Sequence, residues 1–253
     1  MSKTKMYAQV FEVSGFIGAI HGARNPMNSW RLSDSKFMSG ELLELGEKDK
    51  KLLQNLIKSG GEHRKFLRMI HVQVDLNLPR YVWSEFDTYR FNTKNSTSTM
   101  HKLLNKDDEK DWQETVWDEL LHTRGKLTTD NFFYSDEDED ILLSIIDRIN
   151  EIRDLFLLST SAEEKRELKR RAKQLLPESF LQMRTVDTNY EELRNIFSQR
   201  KNHQLDKEWK VVTDMIRNLP FATELILYGI LDEKDKVETV GIAQNNYNQS
   251  EKL

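Results

Sequence analysis

Between Leu78 and Lys102 the chain reads LPRYVWSEFDTYRFNTKNSTSTMHK: an apolar, strand-like start, an aromatic helix, then a polar run with Arg90, Thr93, Asn95 and Ser98. Hydroxyls and amides at that density are poor core material. They suit hydrogen bonding to a phosphate, a ribose or a base edge, and Arg90 adds a guanidinium with two parallel donors. A solvated Ser/Thr/Asn-rich surface loop has the same composition, so composition alone leaves both readings open.

The elements that must hold this run follow from hydrophobic periodicity. Tyr7 to Val13 alternates as a strand, and Phe16 to Arg24 reads as a short helix. Residues 25–39, NPMNSWRLSDSKFMS, are turn-rich and read as an ordered loop. Glu41 to Lys58 carries Leu42, Leu43, Leu45, Leu52, Leu53 and Leu56 at helical spacing and ends at Gly60-Gly61. His71 to Leu78 alternates Val72, Val74, Leu76 and Leu78 against Gln73, Asp75 and Asn77, a strand that Pro79 stops as it opens a helix through Arg90. Asp107 to His122 reads as a helix with Trp112 and Trp117. Ser135 and Asp138 resemble a capping box for a helix to about Leu158, with Ile141, Leu142, Ile145, Ile149, Ile152 and Leu155 facing the core. Helices at Ser161 to Leu175, Asn189 to Arg200 and Leu205 to Leu219 complete the pattern. The expected fold class is α+β: a helix-rich single domain over residues 1–243 with a small antiparallel sheet, followed by a flexible tail at 244–253.

Composition sets the outer bounds. Among 253 residues, 38% are hydrophobic and only 10 are Gly and 4 Pro, enough for a real core rich in helix. Charged residues make up 32%, fitting helices with one solvated face. A formal net charge of −4 provides no global field for a nucleic acid polymer, though a nucleotide monomer needs only a local positive pocket. The absence of cysteine removes disulfides, thiolate metal sites and a Cys nucleophile. There is no apolar run of about 18 residues and no signal-like N-terminus, so no membrane partner is expected and the expected setting is cytoplasmic. His63 and His71 lack a third ligand, so no metal is expected. No GxGxxG or Walker loop is present.

The run Thr88-Tyr89-Arg90-Phe91-Asn92-Thr93-Lys94-Asn95-Ser96-Thr97-Ser98-Thr99-Met100 resembles the signature of flavin-dependent thymidylate synthases, Arg-His-Arg-x-x-Ser-x-Asn-Glu-x-Ser-x-Arg. Arg90, Asn95 and Ser98 match it, and Thr93 is a conservative replacement. A second block of that family, a basic residue before Leu-Pro and then Asn, Asn and Arg on one helix, is matched by Lys173, Leu176-Pro177, Asn189, Asn195 and Arg200 without a gap. An amphipathic helix with surface amides is the plain alternative for the second block. The resemblance covers roughly Ala23 to Leu219, with an enlarged and divergent middle.

By this resemblance the chain would transfer a one-carbon unit from methylenetetrahydrofolate to C5 of a pyrimidine deoxynucleotide monophosphate, dUMP to dTMP in the simplest version, using FAD reduced by NADPH. The flavin-independent thymidylate synthases need a Cys that adds to C6, and this chain has none. Arg200 would be catalytic, sitting against the pyrimidine carbonyl and stabilising charge that develops on the ring. Glu85, Ser98, Thr99 and Lys173 would bind the nucleotide, Lys173 keeping the charge where the family uses the Arg fork. Ser29, His63, Arg90, Asn95, Asn189 and Asn195 would contact the flavin. The family forms homotetramers with shared active sites, so an oligomer is implied.

Departures cluster on the substrate side. Met100 stands where an Arg would bind phosphate, Thr88 and Glu191 replace two more arginines, and Tyr89 takes the place of a central His. A charged hydrogen bond to phosphate contributes about 1.5–3 kcal/mol. Arg64, Arg68, Arg80 and Arg194 are candidates to compensate. The alternatives are an altered substrate, such as a hydroxymethyl transfer or dCMP, a non-catalytic paralogue acting as a binding or scaffold subunit, and an unrelated helical interaction protein.

Overall fold

The structure is a computed structural model that describes residues 6–104 and 126–231. In chain order its elements are β1 (Tyr7–Ser14), α1 (Phe16–Arg24), β2 (Lys36–Met38), β3 (Glu41–Glu44), α2 (Glu47–Lys58), β4 (His71–Pro79), α3 (Arg80–Phe86), β5 (Thr93–Ser96), α4 (Thr99–Lys102), α5 (Glu139–Leu158), α6 (Ala162–Leu175), β6 (Leu181–Asn189), α7 (Tyr190–Arg200) and α8 (Asp206–Arg217). Four strands hydrogen-bond in the order β1-β4-β6-β5, and β2 pairs antiparallel with β3. β4 and β6 run antiparallel: the Tyr190 N–H donates to the Ile70 carbonyl at one end, and the Arg80 N–H to the Phe180 carbonyl at the other. The fold is helix-rich with a small antiparallel sheet, as the periodicity predicts.

Two compact units are present, each discontinuous in sequence. The first holds residues 6–7, 77–88, 95–104 and 126–184; the second holds 8–76, 89–94 and 185–231. In the first unit, α5 packs on α6 around Leu142, Ile146, Ile149, Ile152, Leu168 and Ala172, with Phe132 and Phe180 meeting edge to face at 5.6 Å. Each fully buried aliphatic chain there stabilises the unit by about 1.5–3 kcal/mol relative to exposure. Ser161 caps α6 by accepting from the Glu164 N–H. In the second unit, Phe16, Leu53, Ile57, Leu67, Tyr190, Phe197 and Trp209 are buried. Its α2 is capped from a distance: the half-buried Asp34 carboxylate accepts from the Lys48 and Asp49 N–H groups.

The structure corrects several sequence expectations. Glu41 to Lys58 is not one helix, because β3 occupies Glu41–Glu44 and only Glu47–Lys58 is helical. Gly46 marks the break, since a Cβ there would lie 2.3 Å from the Asp34 carboxylate that caps α2. The helix opened by Pro79 ends at Phe86, well short of Arg90. A single 3-10 turn at Asp136–Asp138 separates Ser135 from α5, so Ser135 makes no side-chain cap. On α5, Leu142, Ile149 and Ile152 are buried as expected and Ile145 packs partly buried against them, but Ile141 and Leu155 are exposed and Ile146 is buried instead. Strand β6 has no counterpart among the elements expected from periodicity; only Leu181, Val186 and Thr188 of its residues are buried, so apolar alternation is weak. The helix expected at 107–122 and the tail at 244–253 lie outside the described residues.

Candidate functional site

In the second unit Tyr89 is buried and its neighbour Arg90 is exposed. Arg200, the last residue of α7, donates from Nε to the Tyr89 hydroxyl at 2.8 Å. Tyr89 donates to Gln199 Oε1 at 2.9 Å, and Gln199 Nε2 donates to Asn195 Oδ1 at 3.0 Å. The guanidinium of Arg200 also lies over the ring of Trp209, 4.6 Å from its centroid, and 5.6 Å from that of Tyr89. A cation held over two aromatic faces and by a phenol oxygen has few orientations left.

Asn189 caps α7. Its Oδ1 accepts from the Glu192 N–H at 3.0 Å, and its Nδ2 donates to the Phe91 carbonyl at 3.3 Å. The buried Glu192 carboxylate accepts from the Phe91 N–H at 3.2 Å. Both backbone groups of Phe91 are thus held by the start of α7, which fixes the path of the chain just after Arg90. His63 is exposed at the start of a 3-10 turn, and Asn195 is exposed on α7. Ser29 sits in a different cluster: its carbonyl accepts from Arg24 Nη1 at 3.2 Å, beside the buried Arg24–Asp49 pair.

In the first unit, Lys173 Nζ donates to Thr99 Oγ1 at 2.8 Å, both side chains half-buried. Ser98 caps the short α4 by accepting from the His101 N–H. The preceding residue is tied to β6: the Thr97 N–H donates to the Met183 carbonyl, and Gln182 Nε2 donates to the Thr97 carbonyl. Glu85 is half-buried on α3, and Asn95 is exposed on β5. The two sequence blocks therefore meet within each unit, Thr99 with Lys173 in one and Tyr89 with Arg200 in the other.

The arginines expected to compensate on the substrate side have these partners. Arg64 Nε donates to both carboxylate oxygens of Glu191, at 3.0 and 3.2 Å. Arg80 pairs with Glu178 at 3.0 Å. Arg194 is buried and donates to the carbonyls of Ile226 and Tyr228 at 2.6 and 2.8 Å. Burial pulls its pKa down to about 10, helped by the charge of Arg64 and opposed by that of Glu191. Arg68 is exposed, its guanidinium 5.8 Å from the centroid of the Phe91 ring. The sequence alone assigns no role to Gln199 or Trp209, and gives Tyr89 only the place of a central His. The polar tip of Tyr89 was the available signal, since a buried phenol needs a partner.

A groove of about 890 Å³ in the second unit, walled by β1, the turn between β2 and β3 and the end of α8, contains none of these candidate residues. Among the described residues no group of three or more His, Asp or Glu could hold a metal ion, and no helix is long and apolar enough to cross a membrane.

No protein-family model matches the sequence, and no curated protein does either. Solved structures do match. Flavin-dependent thymidylate synthase ThyX from Helicobacter pylori, complexed with FAD and dUMP, superposes with a TM-score of 0.63 at 18% identity, over 90% of this chain and 100% of that one. A second structure of that enzyme with FAD and dUMP gives 0.62 at 18% identity, over 87% and 96%. The UMP/dUMP methylase PolB from Streptomyces cacaoi, bound with 5-Br UMP, gives 0.53 at 12% identity, over 90% and 96%. The fold is therefore that of the flavin-dependent thymidylate synthases, as the two sequence blocks lead one to expect.

Proposed function

We propose that this chain is a flavin-dependent enzyme that transfers a one-carbon unit from methylenetetrahydrofolate to C5 of a pyrimidine deoxynucleotide monophosphate, dUMP in the simplest case. The observation that carries the reading is the pairing of Arg200 with Tyr89 and of Lys173 with Thr99, two meetings of distant motif residues in a fold whose solved examples hold FAD and dUMP.

The residues present suit an anionic ligand with a flat polar ring. Arg90, His63 and Asn195 are exposed in the second unit, and Arg90 makes no side-chain hydrogen bond or ion pair among the described residues. Arg90, Asn95, Asn189, Asn195, His63 and Ser29 are the residues proposed to hold FAD. When bound, FAD would supply the electron pair, drawn from NADPH, that turns a transferred methylene into a methyl group. Lys173 would neutralise nucleotide phosphate, with Ser98, Thr99 and Glu85 as its hydrogen-bonding neighbours. Arg200 would donate to the pyrimidine carbonyl, where charge builds as C5 becomes nucleophilic; a preorganised donor there costs no reorganisation at the moment of reaction. Substitution at C5 releases the C5 proton. A homotetramer with shared sites and a cytoplasmic setting accompany this reading.

One observation favours a variant substrate. Glu191 stands where the resemblance leads to an Arg, and it is engaged by Arg64. That inversion suits a different base or a hydroxymethyl transfer. Purified protein with flavin absorbance, releasing tritium from C5-labelled dUMP or dCMP, supports the enzyme reading and identifies the base. Colourless protein that FAD cannot reconstitute sinks it. Arg200→Ala is expected to abolish turnover with flavin still bound.

A further inference from the structure

We infer that Tyr89 is a positioning residue for Arg200, aiming its guanidinium through the hydroxyl that accepts from Nε, with Gln199 setting the direction of that hydroxyl. The inference rests on the reading of Arg200 as the group that meets the pyrimidine carbonyl.

The hydrogen bonds form a chain with one sense. Arg200 donates to Tyr89, Tyr89 to Gln199 and Gln199 to Asn195, at 2.8, 2.9 and 3.0 Å. A phenol oxygen accepts best when its own proton points elsewhere, and Gln199 Oε1 takes that proton. Gln199 is held in the orientation that presents Oε1, because its Nε2 is spent on Asn195. Hydrogen bonds linked this way polarise one another. The bond to Nε is the informative one. Nε is the point about which the guanidinium plane turns, so holding it while Trp209 covers one face fixes both the tilt and the edge of the fork. The ring of Tyr89 also packs edge-on to Trp209 at 6.4 Å, so burial explains the ring; only the hydroxyl is left to explain.

The test uses the FAD-loaded protein in three forms: wild type, Tyr89→Phe and Gln199→Met. Four quantities are measured: melting temperature, flavin absorbance, dUMP affinity by calorimetry, and kcat for tritium release from C5-labelled dUMP. Tyr89→Phe is expected to keep its flavin, to lose about threefold in dUMP affinity and about thirtyfold in kcat, because the guanidinium interacts more strongly with the charge of the transition state than with the neutral carbonyl. Gln199→Met is expected to move kcat in the same sense by about fivefold, since it keeps the phenol and loses only its guide. A merely structural hydroxyl would lower the melting temperature without separating kcat from affinity. If Tyr89→Phe matches wild type in both, the inference is overturned while the reading of the site stands. Should Tyr89→Phe lose flavin or fold, Gln199→Met decides, and an unchanged kcat there overturns the inference. Wild type that binds neither flavin nor dUMP removes the reading and the inference together.

Discussion

Lys173 and Thr99, 74 residues apart, share a hydrogen bond of 2.8 Å from ammonium to hydroxyl. Lys173 lies in the last turn of α6, where the helix dipole favours a cation, and Ala172 beside it is fully buried, which sets the height of the lysine stem. A lysine brought to a half-buried hydroxyl at the start of another helix is well placed to meet a phosphate. Lys173→Met is expected to raise the KM for nucleotide about tenfold, which corresponds to the loss of one charged hydrogen bond, with flavin absorbance unaltered. Steady-state kinetics at varied nucleotide concentration reads this directly; an unchanged KM removes Lys173 from the substrate site.

The pair Arg64–Glu191 carries a second prediction. Its side chains are 30% and 15% exposed, so screening leaves it a modest contribution of about 1 kcal/mol. Glu191→Gln is expected to lower the unfolding free energy by that amount, read from the shift of the urea midpoint at unchanged m. Glu191→Arg should cost more, because it adds a third cation to Arg64 and Arg194. Arg64→Glu placed in the Glu191→Arg background should then recover most of the loss, a coupling that a double-mutant cycle isolates.

Much of this was legible in the sequence, for reasons particular to each element. His71–Pro79 alternates strictly because one face of β4 is buried, Val72, Val74, Leu76 and Leu78 all being inaccessible. Arg90, Thr99, Lys173 and Arg200 stand out because side chains able to bind an anion come from a short menu, and these lie in the two blocks of the resemblance. Tyr89 does not, since an aromatic between Phe86 and Phe91 reads as packing, and its partner Gln199 is drawn in only by the return of α7. Strand β6 hid for a different reason: the run Gln182 to Thr185 is half-buried throughout, so the period-two signal fades just where Gln182 and Met183 bind the chain at Thr97. β3 was masked by leucines that fit both a helix and a strand, and Gly46 was the one residue that argued for a break.

Gly15 offers a test of backbone proximity. Its φ is +94°, and a Cβ there would lie 1.9 Å from the Met69 carbonyl oxygen, backbone that cannot swing aside. Gly60 has a similar φ of +104° but open space around it. Gly60→Ala is expected to cost about 1–2 kcal/mol, the left-handed penalty alone. Gly15→Ala should cost at least about 4 kcal/mol, since strain and clash add, and should surface as low yield of folded protein. Denaturant midpoints of the two variants separate these effects; equal values would mean that α1 shifts away from Met69 at no cost.

Asp49 links stability to pH. Its fully buried carboxylate accepts from Arg24 Nε at 2.6 Å, from Ser33 and Ser35 hydroxyls at 2.7 and 2.6 Å, and from the Asp34 and Ser35 N–H groups at 3.2 and 3.1 Å. Burial pushes its pKa up, but the hydrogen bonds from Ser35, Ser33 and Arg24 outweigh that and hold it below the ordinary carboxylate value. A depressed folded pKa means the unfolded chain takes up protons first. The stabilisation is therefore complete above the ordinary value of about 3.9 and is lost as pH falls through the folded one. Asp49→Asn keeps the shape but leaves the buried Arg24 without its counter-charge, at an expected cost of about 3–5 kcal/mol near neutral pH. The variant should also lose part of the acid-limb slope. Urea midpoints between pH 7 and pH 3 measure both, and a variant that tracks the wild-type acid limb in parallel would assign that slope to other carboxylates.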